Sequence, residues 1–203
     1  MNWEQQKMYE VPLSRIDEMA EISAEAFLSC DDRIGDFVFE NEPNHIPLRK
    51  RLFRSLVTSC SANAVRQATS LDLEGVSIWF PPGMAPLEDA HLAPFCPADF
   101  KDLKTMERMQ AVNEAVAGLT SRLGSEPQWY LHLVAVRPQF RRLKYSSQLI
   151  KPVLEQARKE HLPCTLITKF PENTLKYRNW GFEVVDELAV SGSPGKFFAM
   201  RRD

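Results

Sequence analysis

The chain has 203 residues, 25 basic against 27 acidic, with a formal net charge of −2; 44% are hydrophobic and 26% charged, a soluble globular balance. At roughly 100–200 residues per domain this suits one large domain, and the charge balance argues against a general nucleic-acid binder, which normally needs a clear basic excess. No run approaches the roughly 18 consecutive apolar residues of a membrane span, and Met1–Lys7 lacks the apolar region of a signal peptide.

In chain order, a short strand is expected around Met8–Pro12. Ser14 reads as an N-cap with Asp17 at the third helical position, and Ile16, Met19, Ala20, Ile22, Ala26 and Phe27 follow at helical spacing, ending near Cys30 before Asp31-Asp32. Asn44–Pro47 is a break, and Pro47 suits the first turn of a second helix reaching about Ser61. Val65–Thr69 and Gly75–Phe80 read as strands around a turn, the second stopped by Pro81-Pro82-Gly83. Met84–Pro97 is irregular and rich in proline, and Asp99–Leu123 reads as one or two helices. Trp129–Val136 is the clearest strand, ended by Arg137-Pro138. A helix from about Ser146 to His161 carries Pro152 inside it, which costs a hydrogen bond or moves the start later. Cys164–Lys169 is a strand, Pro171 opens a short helix ending at Trp180-Gly181, and Phe182–Val190 with Lys196–Arg201 flank a Gly-Ser-Pro-Gly turn. The alternation in the second half predicts an α/β layered domain.

The four cysteines, Cys30, Cys60, Cys96 and Cys164, form no Cys-x-x-Cys pair, so a zinc or thioredoxin-like site is disfavoured. Reduced thiols and a cytoplasmic location fit best. The histidines show no metal-ligand spacing, with His45 and His91 in loops and His161 at a helix end. Asp31, Asp32, Asp36 and Glu40 form an acidic cluster, either a rim attracting a cationic amine or a solvated loop. Arg141, Arg142 and Lys144 form a basic loop before a helix, either an anion site or a solvated turn. By period-two alternation Tyr130, His132, Val134 and Val136 share one strand face, and His132 reads as a general base or as a hydrogen-bonded core histidine.

Trp129–Phe182 resembles the GNAT N-acetyltransferase superfamily. The resemblance rests on the strand Tyr130–Val136, Pro138, Arg141 opening the loop, Leu149-Ile150 on the helix, and Asn173, Tyr177, Gly181 and Phe182. Trp79-Phe80-Pro81-Pro82-Gly83 is similar to a subgroup that includes puromycin N-acetyltransferase. The resemblance implies a single GNAT-like α/β domain, with a mixed central sheet of about seven strands and helices on both faces. It also implies an acceptor-side half over about 1–127 and an acetyl-CoA-binding core over about 128–203. Acetyl-CoA is then the cosubstrate, held at Val134, Ala135 and Val136, at Arg141, Arg142, Lys144, Tyr145, Ser146 and Ser147, and at Asn173. Tyr177 is the implied proton donor to the leaving thiolate, and a packed helix tyrosine is its other reading. For the base, Glu126 stands behind His132, and deprotonation through water is an equal alternative. Trp79, Phe37 and Phe95 are candidate walls of an acceptor pocket.

The family's loop usually reads Gln/Arg-x-x-Gly-x-Gly/Ala, whereas here Lys144 and Ser146 hold the glycine positions. A left-handed backbone at Lys144 would cost about 1–2 kcal/mol. The function implied is acetyl transfer to a small-molecule or peptidyl primary amine, with no metal, nucleic acid or membrane and with a homodimer left open. The alternatives are a catalytically silent GNAT-like binding module and a binder of another phosphorylated ligand at the basic loop.

Overall fold

The structure is a computed structural model and describes residues 8–60, 63–84 and 94–203. The chain opens with strand β1 (Tyr9–Glu10), then α1 (Ile16–Leu28), α2 (Arg33–Val38) and α3 (His45–Thr58). A hairpin of β2 (Val65–Ala68) and β3 (Gly75–Phe80) leads on to α4 (Lys104–Arg122). The second half runs β4 (Trp129–Val136), α5 (Tyr145–Glu160), β5 (Cys164–Thr168), α6 (Pro171–Arg178), β6 (Glu183–Ala189) and β7 (Lys196–Arg202). Seven strands form one sheet in the order β1-β2-β3-β4-β5-β7-β6. Only β4 and β5 pair in parallel; the other pairs are antiparallel. The expected mixed sheet is therefore present.

Two apolar cores sandwich the sheet. Met19 and Ile22 of α1, Val38 of α2, Val57 of α3 and Met109 and Leu119 of α4 meet Val76, Ile78, Phe80, Leu133 and Ala199. On the other face Ile150, Val153 and Ala157 of α5 meet Trp79, Leu131, Leu166 and Met200. Helices thus cover both faces, as an apolar stripe on each helix demands.

Three expectations need correction, and one alternative is decided. Ser14 caps nothing: it lies in a one-turn 3-10 helix, Leu13–Arg15, that runs into α1. The second helix stops at Thr58, and residues 61 and 62 lie outside the described set, as do 85–93 with His91. A short helix, α2, fills what reads as an acidic loop, because Asp32 accepts the Gly35 N–H at 2.9 Å and caps it. Of the two readings of Pro152, the structure has the one in which it sits inside α5, whose start stays early at Tyr145.

The sheet contains the feature that makes the site. Strand β4 pairs with β5 only through Trp129, Tyr130 and Leu131. Beyond Leu131 it pairs with β3 alone. The β3 register jumps there as well: Ile78 opposes Leu133 while Trp79 opposes Leu131, leaving His132 as the extra residue of a β-bulge. A bulge bends its strand and raises its twist, and this one sits where the two parallel strands part. Strand β5 continues to Thr168 against β7, so the gap opens between β4 and β5.

Candidate active site

Two cavities flank this gap. One, of about 580 Å³, runs along Val134, Ala135 and Val136 to Arg141, Arg142, Lys144, Tyr145 and Ser146. The other, of about 190 Å³, lies toward α1–α4 and is lined by apolar and aromatic side chains with His132, Asp32, Arg49 and Lys169 among them. Phe27, Val134, Phe170, Asn173 and Tyr177 line both, so the cavities touch at the parted strands. Of the catalytic and cosubstrate residues that the resemblance implies, all but Ser147 and His132 line the larger cavity, and His132 lines the smaller.

The start of α5 is built for an anion. Its first internal bond runs from Gln148 N–H to Lys144 C=O at 3.1 Å. The N–H groups of Tyr145, Ser146 and Ser147 therefore have no acceptor within the helix, and no side chain caps them. The chain reaches this point through two left-handed residues, Arg142 at φ 68° and Lys144 at φ 63°. Lys144 thus does adopt the conformation glycine favours, and Arg142 does too, which the sequence reading missed. Arg141 turns away from the loop: its Nη2 donates to Ala26 C=O at 2.6 Å and to Ser29 Oγ at 2.7 Å. It neutralises the negative end of α1 and ties the loop to that helix.

Tyr177 is placed by the end of α6. Gly181 N–H donates to Arg178 C=O at 2.9 Å and Phe182 N–H to Tyr177 C=O at 3.2 Å, with Gly181 at φ +87°. This is a Schellman ending, in which the residue after the glycine folds back on the helix. Phe182 accordingly packs edge-on to Tyr177, ring centroids 5.8 Å apart. The Tyr-x-x-x-Gly-Phe spacing therefore fixes the tyrosine ring. Burial, with Tyr130 nearby, raises the Tyr177 pKa and keeps its phenol protonated. Tyr177 has no hydrogen-bond partner for its hydroxyl among the described residues.

His132 does not share a face with Val134. The bulge puts it with Tyr130 and Leu133, stacked on Phe80 at 4.7 Å. Its Nε2 lies 3.0 Å from Leu56 C=O; a carbonyl only accepts, so Nε2 carries the proton and Nδ1 the lone pair. Burial pulls its pKa down to about 4, although the bond to Leu56 raises it. The ring is neutral at pH 7.

The acidic cluster is paired throughout. Asp31 faces Arg33 at 3.7 Å, Asp36 accepts from Arg49 at 2.8 Å and Glu40 from Arg108 at 3.2 Å. Asp32 is 2% exposed and accepts from Arg49 Nη2 at 2.8 Å and from Lys169 Nζ at 2.6 Å. Burial pushes its carboxyl up, but Lys169, the Gly35 N–H and Arg49 outweigh that and hold it below its ordinary value. A free acidic rim is thus absent among these residues. Glu126 lines neither cavity and is engaged by Arg201 at 2.6 Å. Trp79 is a fully buried core residue. Phe37 packs under Arg108, and Phe95 between Arg51 and Phe100; none of the three lines either of these two cavities.

Sequence reasoning missed Arg49 and Lys169. Their signals were present: Arg49 falls on the buried face of α3 with Phe53 and Val57 at spacing four, and Lys169 follows the carboxyl end of β5, where open α/β sheets place ligands. Among the described residues no group of three or more His, Cys, Asp or Glu side chains is arranged to hold a metal ion, and no helix is long and apolar enough to cross a membrane.

A mixed seven-stranded sheet parted between its two parallel strands, with an uncapped helix start beside the gap, defines a GNAT-like α/β domain. Residues 79–179 match the model of the acetyltransferase (GNAT) family, and that segment places the chain in the family. No curated protein matches the sequence. Among solved structures, arylalkylamine N-acetyltransferase 2 from Aedes aegypti is similar with a TM-score of 0.61 at 15% identity, covering 97% of each chain. The histone acetyltransferase HPA2 and related acetyltransferase from Corynebacterium glutamicum gives 0.59 at 17%, covering 97% of this chain and 94% of that one. PaiA N-acetyltransferase from Thermoplasma acidophilum, solved with coenzyme A, gives 0.52 at 12%, covering 97% and 98%. At these identities the likeness is one of fold.

Proposed function

We propose that the protein is an acyl-CoA-dependent N-acyltransferase, in the first instance an N-acetyltransferase, acting on a small primary amine. The observation that carries the reading is the junction of the two cavities at Val134, Asn173 and Tyr177. One cavity runs from the open edge of β4 at Val134–Val136 to the basic residues at the start of α5, as a pantetheine and its pyrophosphate would need. The other is a small apolar chamber for an acceptor. The residues present fit the cosubstrate: three unpaired N–H groups and the cations of Arg142 and Lys144 stand at the helix start. Acetyl-CoA would supply a thioester whose carbonyl carbon the amine attacks, forming the C–N bond as the C–S bond breaks.

The chain's own groups have definable tasks in this. Tyr177 holds its proton at neutral pH and offers it at the junction, where thiolate charge would develop. His132 presents Nδ1 as a lone pair, with its tautomer fixed by Leu56, and can take a proton from the acceptor directly or through water. Backbone groups of Val134 and Val136, beyond the last pairing to β5, are available to amides of an extended ligand. Helices of the segment before residue 127 wall the acceptor chamber, and β4 with α5 forms the cosubstrate side. The Trp79–Gly83 likeness to the puromycin N-acetyltransferase subgroup supports a small-molecule acceptor. Free thiols at Cys30, Cys60, Cys96 and Cys164 suit a reducing compartment.

The test is an acylation assay with acetyl-CoA and a panel of primary amines, run with Tyr177→Phe. The variant should lower kcat by about 10²-fold or more, the scale of general acid catalysis, and leave acetyl-CoA affinity within about twofold. Equal turnover by both forms would remove Tyr177 from the mechanism. A second reading, a silent binding module, draws on the non-glycine loop and the inward turn of Arg141. It predicts no acyl transfer to any amine.

A further inference from the structure

The acceptor chamber, mostly apolar, holds one buried charge cluster, and that cluster does not balance within the chamber wall. Asp32, Arg49 and Lys169 all line the cavity. Two cations therefore face one carboxylate. Asp32 is already engaged by the Gly35 N–H, by Arg49 Nη2 and by Lys169 Nζ. It has little left to offer an ammonium group. The second carboxylate on Arg49, Asp36, is not part of the lining, and its side chain is 63% exposed. Water screens that charge far more than the interior screens Arg49, whose side chain is 6% exposed. The other titratable groups in the lining, His132, Tyr130 and Tyr177, are neutral at pH 7. The wall of the chamber thus carries a net positive charge.

The cations also have unused donors. Arg49 Nε is buried and has no hydrogen-bond partner. Lys169 spends one of its three N–H donors on Asp32. Around these groups the chamber is lined by Phe27, Phe39, Phe53, Phe170 and Phe197, which suits an aromatic or large aliphatic body.

We propose that the acceptor is an amine that also carries a carboxylate, with an aromatic or aliphatic body between or beside them, and that Arg49 and Lys169 recognise the carboxylate. A free amino acid with a large apolar side chain has this chemistry. The proposal rests on the N-acyltransferase reading for its amine and adds the anionic anchor. An acceptor of this class places its carboxylate at the Arg49–Lys169 end and its amine toward Val134 and Tyr177. It excludes purely cationic arylalkylamines by charge rather than by shape.

The test compares ligands that share one body. 3-Phenylpropanoate carries only the carboxylate, phenethylamine only the amine, and phenylalanine both. Calorimetric titration of the full chain should show 3-phenylpropanoate binding at least tenfold more tightly than phenethylamine. Lys169→Gln, which keeps a hydrogen bond to Asp32 but removes the charge, should weaken 3-phenylpropanoate at least fivefold and narrow the ratio. Arg49→Lys, which keeps the charge but loses the fork, should do the same, and circular dichroism checks that both variants fold. In acylation with acetyl-CoA, phenylalanine should exceed phenethylamine by a similar factor in kcat/KM. Equal or tighter binding of phenethylamine, or binding of neither probe, overturns the proposal. Binding of 3-phenylpropanoate without any use of acetyl-CoA would keep the anion site and overturn the transferase reading instead.

Discussion

Two side chains at the cavity junction show how placement decides chemistry. Tyr177 and His132 are both titratable groups whose pKa burial moves away from neutral pH, and both consequently carry one defined protonation state. For His132 this has a consequence for stability. Its folded pKa of about 4 lies below the unfolded value of about 6.5. As pH falls through that interval the unfolded chain takes the proton first, so stability is complete above about 6.5 and is lost toward 4. The loss amounts to about 3 kcal/mol at pH 4. His132→Gln, which keeps a donor for Leu56, should remove most of that slope in urea unfolding measured at pH 7 and pH 4.5. A variant with the wild-type slope would show that His132 is not the group responsible. His132 was legible as a candidate, but its direction was not. Nothing in the run Tyr130–Val136 marks an interruption of a period-two strand, and the bulge exists only because Ile78 and Trp79 pair across it. Arg49 and Lys169 were hidden for a related reason: a charged side chain on a buried face looks like a surface residue until its partner, Asp32, is brought beside it from a distant part of the chain.

At the scale of elements, local pattern was a good guide where one element governs itself. β3 and β4 lie where their β-branched and aromatic runs begin and end, and α5 differs from expectation by one residue at each end. Helix α2 was not legible, because six residues carry too short a pattern and its cap, Asp32, also belongs to an ion cluster. The loop before α5 tests the link between local strain and site geometry. Lys144 at φ 63° carries a left-handed penalty of about 1–2 kcal/mol that glycine lacks, against about 0.5–1 kcal/mol of extra chain entropy lost by glycine. Lys144→Gly should therefore be more stable than Lys144→Ala by about 1 kcal/mol in chemical denaturation. Both remove the same charge, so the difference isolates the backbone. Equal stabilities would mean that the loop relaxes out of the left-handed region without cost.

At the scale of the whole molecule, the sheet separates two tasks. Helices α1–α4 on one face line the smaller cavity, α5 on the other face presents its start to the larger one, and the two share lining residues at the parted strands β4 and β5. The alternation of elements made the layered sheet legible, and the Asn173–Phe182 motif lies beside the parted strands, where Asn173 and Tyr177 line both cavities. The gap itself was not legible, since it depends on where strand pairing stops. If the larger cavity is a coenzyme site, a ligand at about 100 times its dissociation constant adds about 2.7 kcal/mol of stability, which for a chain of this length raises Tm by roughly 5–10 °C. The most direct measurement is a calorimetric titration of the protein with acetyl-CoA, repeated with Ser146→Asp, which puts a negative charge among the free N–H groups of α5. The account predicts a one-to-one isotherm at micromolar affinity for the natural sequence. It predicts at least tenfold weaker binding for Ser146→Asp, with the fold intact because an acid near a helix start is favourable. An absence of both heat and thermal stabilisation at millimolar acetyl-CoA would contradict it.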